Sequence, residues 1–168
     1  LGASERKLYH FHGGLHLQGN KELATKEAVA TAPIPPQLIF PLQQHIGEPA
    51  EPVVQVGEQV GKGQVIARAT GYVSAAVHAS SSGTVTAIEE RPVPHPSGLK
   101  APCVVIETDG QDTWADRPKP MNLEDLDPAE LRARVRASGI VGLGGAAFPT
   151  SVKLNPGEHR PIETLVIN

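Results

Sequence analysis

The chain has 168 residues, 39% of them hydrophobic but only 4% aromatic, so a core is possible and must be aliphatic. A net charge of -3 with no run of Lys and Arg excludes a nucleic-acid-binding face, and the single cysteine, Cys103, excludes a disulfide framework or a CxxC pair. Seventeen glycines and sixteen prolines make about a fifth of the chain, which predicts many turns between short strands.

Residues 1–33 hold no sustained helical or strand period and read as an extended arm, punctuated at its end by Pro33, Pro35 and Pro36. Residues 34–112 read as a small all-β domain. "QLIFPL" is a short apolar run. "EPVVQVGEQVGKGQVIARA" reads as strand, turn, strand, with Val54 and Val56 alternating, Gly57, Gly61 and Gly63 turning, and Val65 and Ile66 resuming. "GYVSAAVHAS", "SGTVTAIEE" and "CVVIETDG" are further strands, with Ser80 to Gly83 as a turn and Asp109-Gly110 as a stop. Strands at this spacing indicate a sandwich or barrel. Residues 113–127 read as a polar linker. A helix comes next: Asp127 caps, Pro128 takes the first position, and Glu130 sits three residues after the cap. Leu131 and Val135 make its buried stripe, Arg132, Arg134 and Arg136 suit its dipole, and Gly139 ends it. Residues 128–168 thus begin a second, α/β domain, closing on "IETLVIN", which reads as a buried strand. The chain opens on Leu1 rather than methionine and ends in an apolar run, so a piece of a longer protein is expected. Its longest apolar run, Ile140 to Phe148, is too short to span a bilayer.

The stretch "GIVGLGGAAFPTSVK", residues 139–153, is the strongest local signal. Gly142, Gly144 and Ala147 satisfy G-x-G-x-x-[G/A], but a helix precedes them where the dinucleotide fingerprint needs a strand, and Pro149 interrupts the residues after them, where that fingerprint needs a helix. The Lys-Ser/Thr pair of a Walker loop is missing. Consecutive glycines can still aim backbone N–H groups at an anion, and Lys153 can supply a point charge to a phosphate. A hinge or tight helix–strand junction explains the same residues, and the motif alone does not choose. Elsewhere, His10, His12 and His16 sit close together, but no cysteine or carboxylate completes a metal set, so no metal site is expected. His45, His78, His95 and His159 are scattered and read as structural. Cys103, in an apolar strand, reads as a buried, inert thiol. No catalytic residue, paired carboxylate or nucleophile elbow is evident.

"VGEQVGKGQVIA" followed by "HASSSGTVTAI" resembles the two halves of lipoyl and biotinyl carrier domains, which implies a barrel-sandwich hybrid. The interval "RATGYVSAAVH" holds no lysine, so no lipoyl or biotinyl group is expected. Taken in order, "FHGGLH…NKELATKEAV", "PLQQHIGEPAEPVVQVGEQVGKGQVIA", "GYVSAAVHASSSGTVTAIE" and "GIVGLGGAAFPTSVKL" resemble the C subunit of the Rnf ion-translocating electron transport complex. The last stretch is also similar to the flavin loop of the NADH-oxidising flavoprotein subunit of respiratory complex I. The resemblance implies a subunit that takes a hydride from NADH onto non-covalent FMN. It then passes electrons through two [4Fe-4S] clusters to membrane partners, peripherally on the cytoplasmic face of the bacterial inner membrane. By that likeness the FMN phosphate falls to Gly142, Gly144, Gly145, Ala146 and Lys153, with Phe148 beside the loop and Asn168 matching an asparagine that faces the flavin. The cluster cysteine motifs are absent, so no cluster is expected here. Besides that absence, two departures matter: the loop lacks an arginine and one glycine of its complex I counterpart, so that Ala147 replaces a glycine, and His10 and His12 lie outside the family pattern, which His16 fits. The alternative is a non-catalytic β module that docks the subunit to its membrane partners.

Overall fold

The computed structural model describes residues 12–15, 17–122, 124, 126–157 and 163–164. Residues 1–33 form one compact unit and residues 34–168 another. Every described residue of the first is exposed, and Lys21–Thr25 forms a single helical turn, α1, where the sequence suggested only an extended arm. Its start has no side-chain cap, while the Thr25 hydroxyl bonds back to the Lys21 carbonyl at 2.9 Å.

The second unit is mainly β. Its strands are β1 (Gln37–Pro41), β2 (Glu51–Pro52), β3 (Gln59–Val60), β4 (Val65–Arg68), β5 (Val77–His78), β6 (Gly83–Pro92) and β7 (Lys100–Thr108). They make a four-stranded sheet in the order β1-β7-β6-β3 and a three-stranded sheet in the order β2-β4-β5. Every named pairing is antiparallel. Apolar residues from both sheets form one aliphatic core, including Val60, Ile66, Val77, Val85, Val104 and Ile106, with Phe40 as its aromatic member. β7 is a central strand of the larger sheet, and all four residues from Cys103 to Ile106 are buried. We expect Ile106→Ala, at a wholly buried position, to cost about 2–5 kcal/mol, the usual range for emptying such a site. A fall in urea midpoint without a change in slope would show it. Cys103 is likewise buried, and burial pushes its thiol above the ordinary range, which fits an inert cysteine.

Several sequence-predicted strands are shorter than expected. The segment after β2 does not continue as an alternating strand. Val54 is buried in the core but Val56 is 62% exposed, because the chain turns where the Glu58 carboxylate takes the Gln55 amide at 3.0 Å. "GYVSAAVHAS" contributes only Val77–His78 to a sheet. Its first half is a loop held by the buried Ser74, whose hydroxyl accepts the Thr70 amide at 3.1 Å. Conversely β6 is ten residues long and passes a bulge between Val85 and Ala87.

The turn expected at Ser80 to Gly83 proves to be a buried polar junction. The Ser81 hydroxyl donates to Asp112 at 2.8 Å and the Ser82 hydroxyl to Asp109 at 2.7 Å, while Lys62 forms an ion pair with Asp112. A bond from the Gln111 amide, followed by that from Ser82, holds the Asp109 carboxyl below its usual range. The Lys62 bond, followed by that from Ser81, does the same for Asp112. A carboxylate with a depressed folded pKa stabilises the fold above its unfolded value and ceases to do so as pH falls through the folded one. The destabilisation caused by Asp112→Asn is therefore expected to be full above pH ~5 and to shrink below pH ~4, read as the difference in urea midpoint between variant and parent.

Gly61 and Gly63, predicted as turn residues, also make room for the chain that leaves the β domain. A β-carbon on Gly61 would lie 2.6 Å from the Ala115 nitrogen, and one on Gly63 would lie 2.9 Å from the Trp114 ring. In that space Lys62 and Trp114 form a parallel bridge, with the Lys62 amide on the Thr113 carbonyl at 2.8 Å and the Ala115 amide on the Lys62 carbonyl at 3.0 Å. Arg117 stacks 3.5 Å above the Trp114 ring. The start of the expected linker is thus pinned.

Candidate functional site

α2 (Pro128–Ala137) begins as the sequence predicts: the Asp127 side chain accepts the Glu130 amide at 2.8 Å, with Pro128 at the first helical position. Its end is a complete Schellman cap. The Gly139 amide bonds the Arg136 carbonyl at 3.1 Å, the Ile140 amide bonds the Val135 carbonyl at 3.4 Å, and Gly139 takes φ +66°. The expected apolar stripe is only half-buried at Leu131 and Val135. Polar and backbone contacts seat the helix instead. Arg136 donates to the carbonyls of Thr70 and Gly71, and Gly139 lies so close to the sheet loop that a β-carbon would collide with the Ala76 carbonyl oxygen. His78 completes the seat. Burial holds its imidazole below the ordinary range, partly offset by a bond to the Ala137 backbone. The seat is therefore Thr70 to His78, the interval in which a carrier domain would present its lysine.

The glycine stretch is neither a loose joint nor a helix–strand junction. Val141 and Pro149 pair in an antiparallel bridge, the Gly142 amide bonds the Phe148 carbonyl at 2.8 Å, and the Thr150 amide bonds the Ile140 carbonyl at 3.0 Å. The result is a closed loop whose tip turns through an Ala147 amide to Gly144 carbonyl bond of 2.9 Å. A second short helix, α3 (Thr150–Lys153), starts directly after Pro149. Pro149 was expected to interrupt this stretch; its φ of -57° instead suits the residue leading into a helical turn. "IETLVIN" lies largely outside the described residues.

The sequence-predicted site residues converge in part. Lys153 returns across the loop, so that a β-carbon on Gly142 would meet its Nζ at 2.5 Å. Gly144 and Gly145 face open space, where an added β-carbon meets nothing within 4 Å, and Leu143 beside them is fully exposed. Among the described residues, the amides of Leu143, Gly144, Gly145 and Ala146 make no backbone bond. Phe148 is half-buried at the loop's base. The Ala146 carbonyl accepts the Ile46 amide at 2.9 Å, which fixes the tip against the segment after β1. Ala147 has φ +43°, a conformation that favours glycine. Asn168, His10 and His16 lie outside the described residues. His45, which the sequence suggested to be structural, is buried in a polar relay. One ring nitrogen approaches the Ile46 carbonyl at 3.0 Å and the other accepts the Ala75 amide at 3.0 Å, joining the strap that holds the tip to the seat that holds the helix.

Unbonded amides at an exposed glycine tip, with one ammonium group beside them, suit an anionic group approaching from solvent. They sit on a barrel-sandwich hybrid joined to the opening of a nucleotide-binding domain, and comparison with known families gives the same division. The family model described as the RnfC barrel sandwich hybrid domain matches residues 9–111, and that of the Nuo51 FMN-binding domain matches residues 135–168. The chain is 49% identical over 161 residues to the C subunit of the ion-translocating oxidoreductase complex of Pseudomonas aeruginosa, covering 96% of this chain and 21% of that protein. It is 43% identical over 160 residues to the subunit of the same name in Rhodobacter capsulatus, covering 95% and 31%. The C subunit of the proton-translocating ferredoxin:NAD(+) oxidoreductase complex of Clostridium ljungdahlii is 41% identical over 162 residues, covering 96% and 35%. The chain belongs to the RnfC family. It spans between about a fifth and a third of the length of these relatives. Among the described residues, no helix is long and apolar enough to cross a membrane.

Proposed function

We propose that the chain supplies the flavin-phosphate cradle of an electron-input subunit, one that oxidises NADH through FMN and passes the electrons on to [4Fe-4S] clusters carried by the rest of the subunit. The observation that carries this reading is the return of Lys153 onto Gly142 beside a run of exposed residues, 143–146, whose amides make no backbone bond among the described residues. The residues fit a phosphate monoester. Gly144 and Gly145 leave room for close approach, the amides of Leu143 to Ala146 donate, and Lys153 neutralises charge. Bound FMN would supply two-electron acceptance from NADH and one-electron release. This chain's own residues bind and orient, and none is assigned to proton transfer. Asn168 and the residues beyond it would complete the flavin face. The electron path and the cytoplasmic membrane-side location are part of the same proposal, as is assembly with membrane subunits.

A scaffold role for the β domain is favoured by a separate observation. The interval that would carry a swinging arm is occupied as the seat of α2, through the carbonyls of Thr70, Gly71 and Ala76. The two readings are compatible, because the scaffold holds the cradle. Titration of FMN and NADH against this chain, and against one extended to the length of its relatives, tests the cradle. We expect the extended chain to bind FMN tightly and this chain weakly or not at all; absence of binding in both would leave the scaffold alone.

A further inference from the structure

We infer that a second anion site, separate from the glycine loop, lies between α2 and α3 and takes a phosphate group. Arg132 and Arg136 stand one helical turn apart on α2, both half-buried. With Tyr72 from the β domain and Ser151, Val152 and Asn155 from α3 and its end, they line a cavity of about 240 Å³. The arginines are distinctive in what they lack. Arg68, Arg91 and Arg134 each pair with a glutamate, and Arg117 stacks on Trp114. Among the described residues, neither Arg132 nor Arg136 meets a carboxylate, and no acid lines the cavity. Glu48 accepts the Gly71 amide and Glu130 pairs with Arg134, and neither lines the cavity.

Two half-buried guanidinium groups on one cavity wall, faced by no carboxylate among the described residues, leave positive charge that an anion would satisfy. The geometry is pre-organised for one. A single terminal nitrogen of Arg136 serves both the Thr70 and Gly71 carbonyls, and among the described residues the other guanidinium N–H groups make no hydrogen bond. The Asn155 amide lies 3.4 Å from the Tyr72 hydroxyl, so neutral donors gather at the same rim. Guanidinium forks match phosphate oxygens bidentately, and the cavity suits a phosphate or diphosphate rather than a whole nucleotide. The site does not rest on the flavin reading. Lys153 reaches the glycine loop, whereas Ser151 and Val152 of the same short helix line this cavity.

Inorganic phosphate, AMP and ADP are titrated against this chain at constant ionic strength, with chloride as control, by calorimetry and thermal unfolding. Saturable binding with a raised Tm is expected. Arg132→Gln should weaken it about tenfold or more, since it removes a charge-assisted fork. Asn155→Asp, at an exposed position, should weaken it through repulsion even if the arginine variant folds poorly, and Lys153→Gln should leave it unchanged. AMP or ADP binding more tightly than inorganic phosphate would place the phosphate on a nucleotide, and equal binding would make it a free anion. A response equal to that of chloride, unaffected by Arg132→Gln and Asn155→Asp, or lost in Lys153→Gln, overturns the proposal.

Discussion

Gly144→Val in the full-length subunit is expected to abolish flavin retention while leaving the unfolding midpoint of the flavin-free protein unchanged. The two halves of this expectation have separate causes. A β-carbon at Gly144 meets nothing within 4 Å and the residue has no positive φ, so the fold has no steric reason to object. The space the valine would fill is the space a phosphate needs in order to reach the amides on either side. Loss of several charge-assisted bonds at once should lower affinity by about a hundredfold or more. Flavin content after gel filtration, alongside thermal unfolding, reads both. A variant that keeps its flavin would show that the loop tip does not hold the phosphate. Gly142→Val serves as a companion with a different mechanism, because its side chain would displace the Lys153 ammonium rather than the ligand.

Gly139→Ala should have the largest effect on how the glycine loop is held. Two costs combine there. Residue 139 sits at φ +66°, where a β-carbon costs roughly 1–2 kcal/mol, and that carbon would also press well inside contact distance of the Ala76 carbonyl oxygen. The cap cannot relax by moving outward without giving up the Arg136 bonds to Thr70 and Gly71. Gly98→Ala is the control, because Gly98 has φ +67° but open space around it, so only the conformational cost applies. We expect Gly98→Ala to shift Tm modestly. Gly139→Ala should in addition expose residues 116–127 and the glycine loop to limited proteolysis. Equal behaviour of the two variants would mean that close approach to the sheet does not hold the helix.

Much of this architecture is legible in the sequence where the signal is local. Asp127, Pro128, Glu130 and Gly139 state the beginning and end of α2 within a dozen residues, because capping chemistry is short-ranged. The paired glycine–valine halves indicate the barrel-sandwich hybrid, and the glycine loop with Lys153 gives the candidate cradle. What the sequence hides depends on partners far along the chain. Gly61 and Gly63 look like turn residues until residues 113–115 are laid over them. Ser81 and Ser82 read only as turn residues until Asp109 and Asp112 arrive to accept their hydroxyls. The apolar stripe of α2 is weaker than its spacing suggests because Arg136 and a backbone contact, rather than apolar burial, seat the helix. α3 escapes sequence reasoning because four residues behind a proline carry too little periodicity to register.

The Lys62–Trp114 bridge bears on more than the fold. By pinning residues 113–115 it leaves only about a dozen residues of chain between the last point fixed on the β domain and α2. A segment on so short a leash stays near its seat at an effective concentration on the order of a millimolar even when its contacts open. Contacts too weak to hold the loop in a separate molecule are then sufficient to hold it here. A loop tethered in this way would return to the same seat after any opening, which the proposed cradle would need in order to admit a ligand and then hold it still.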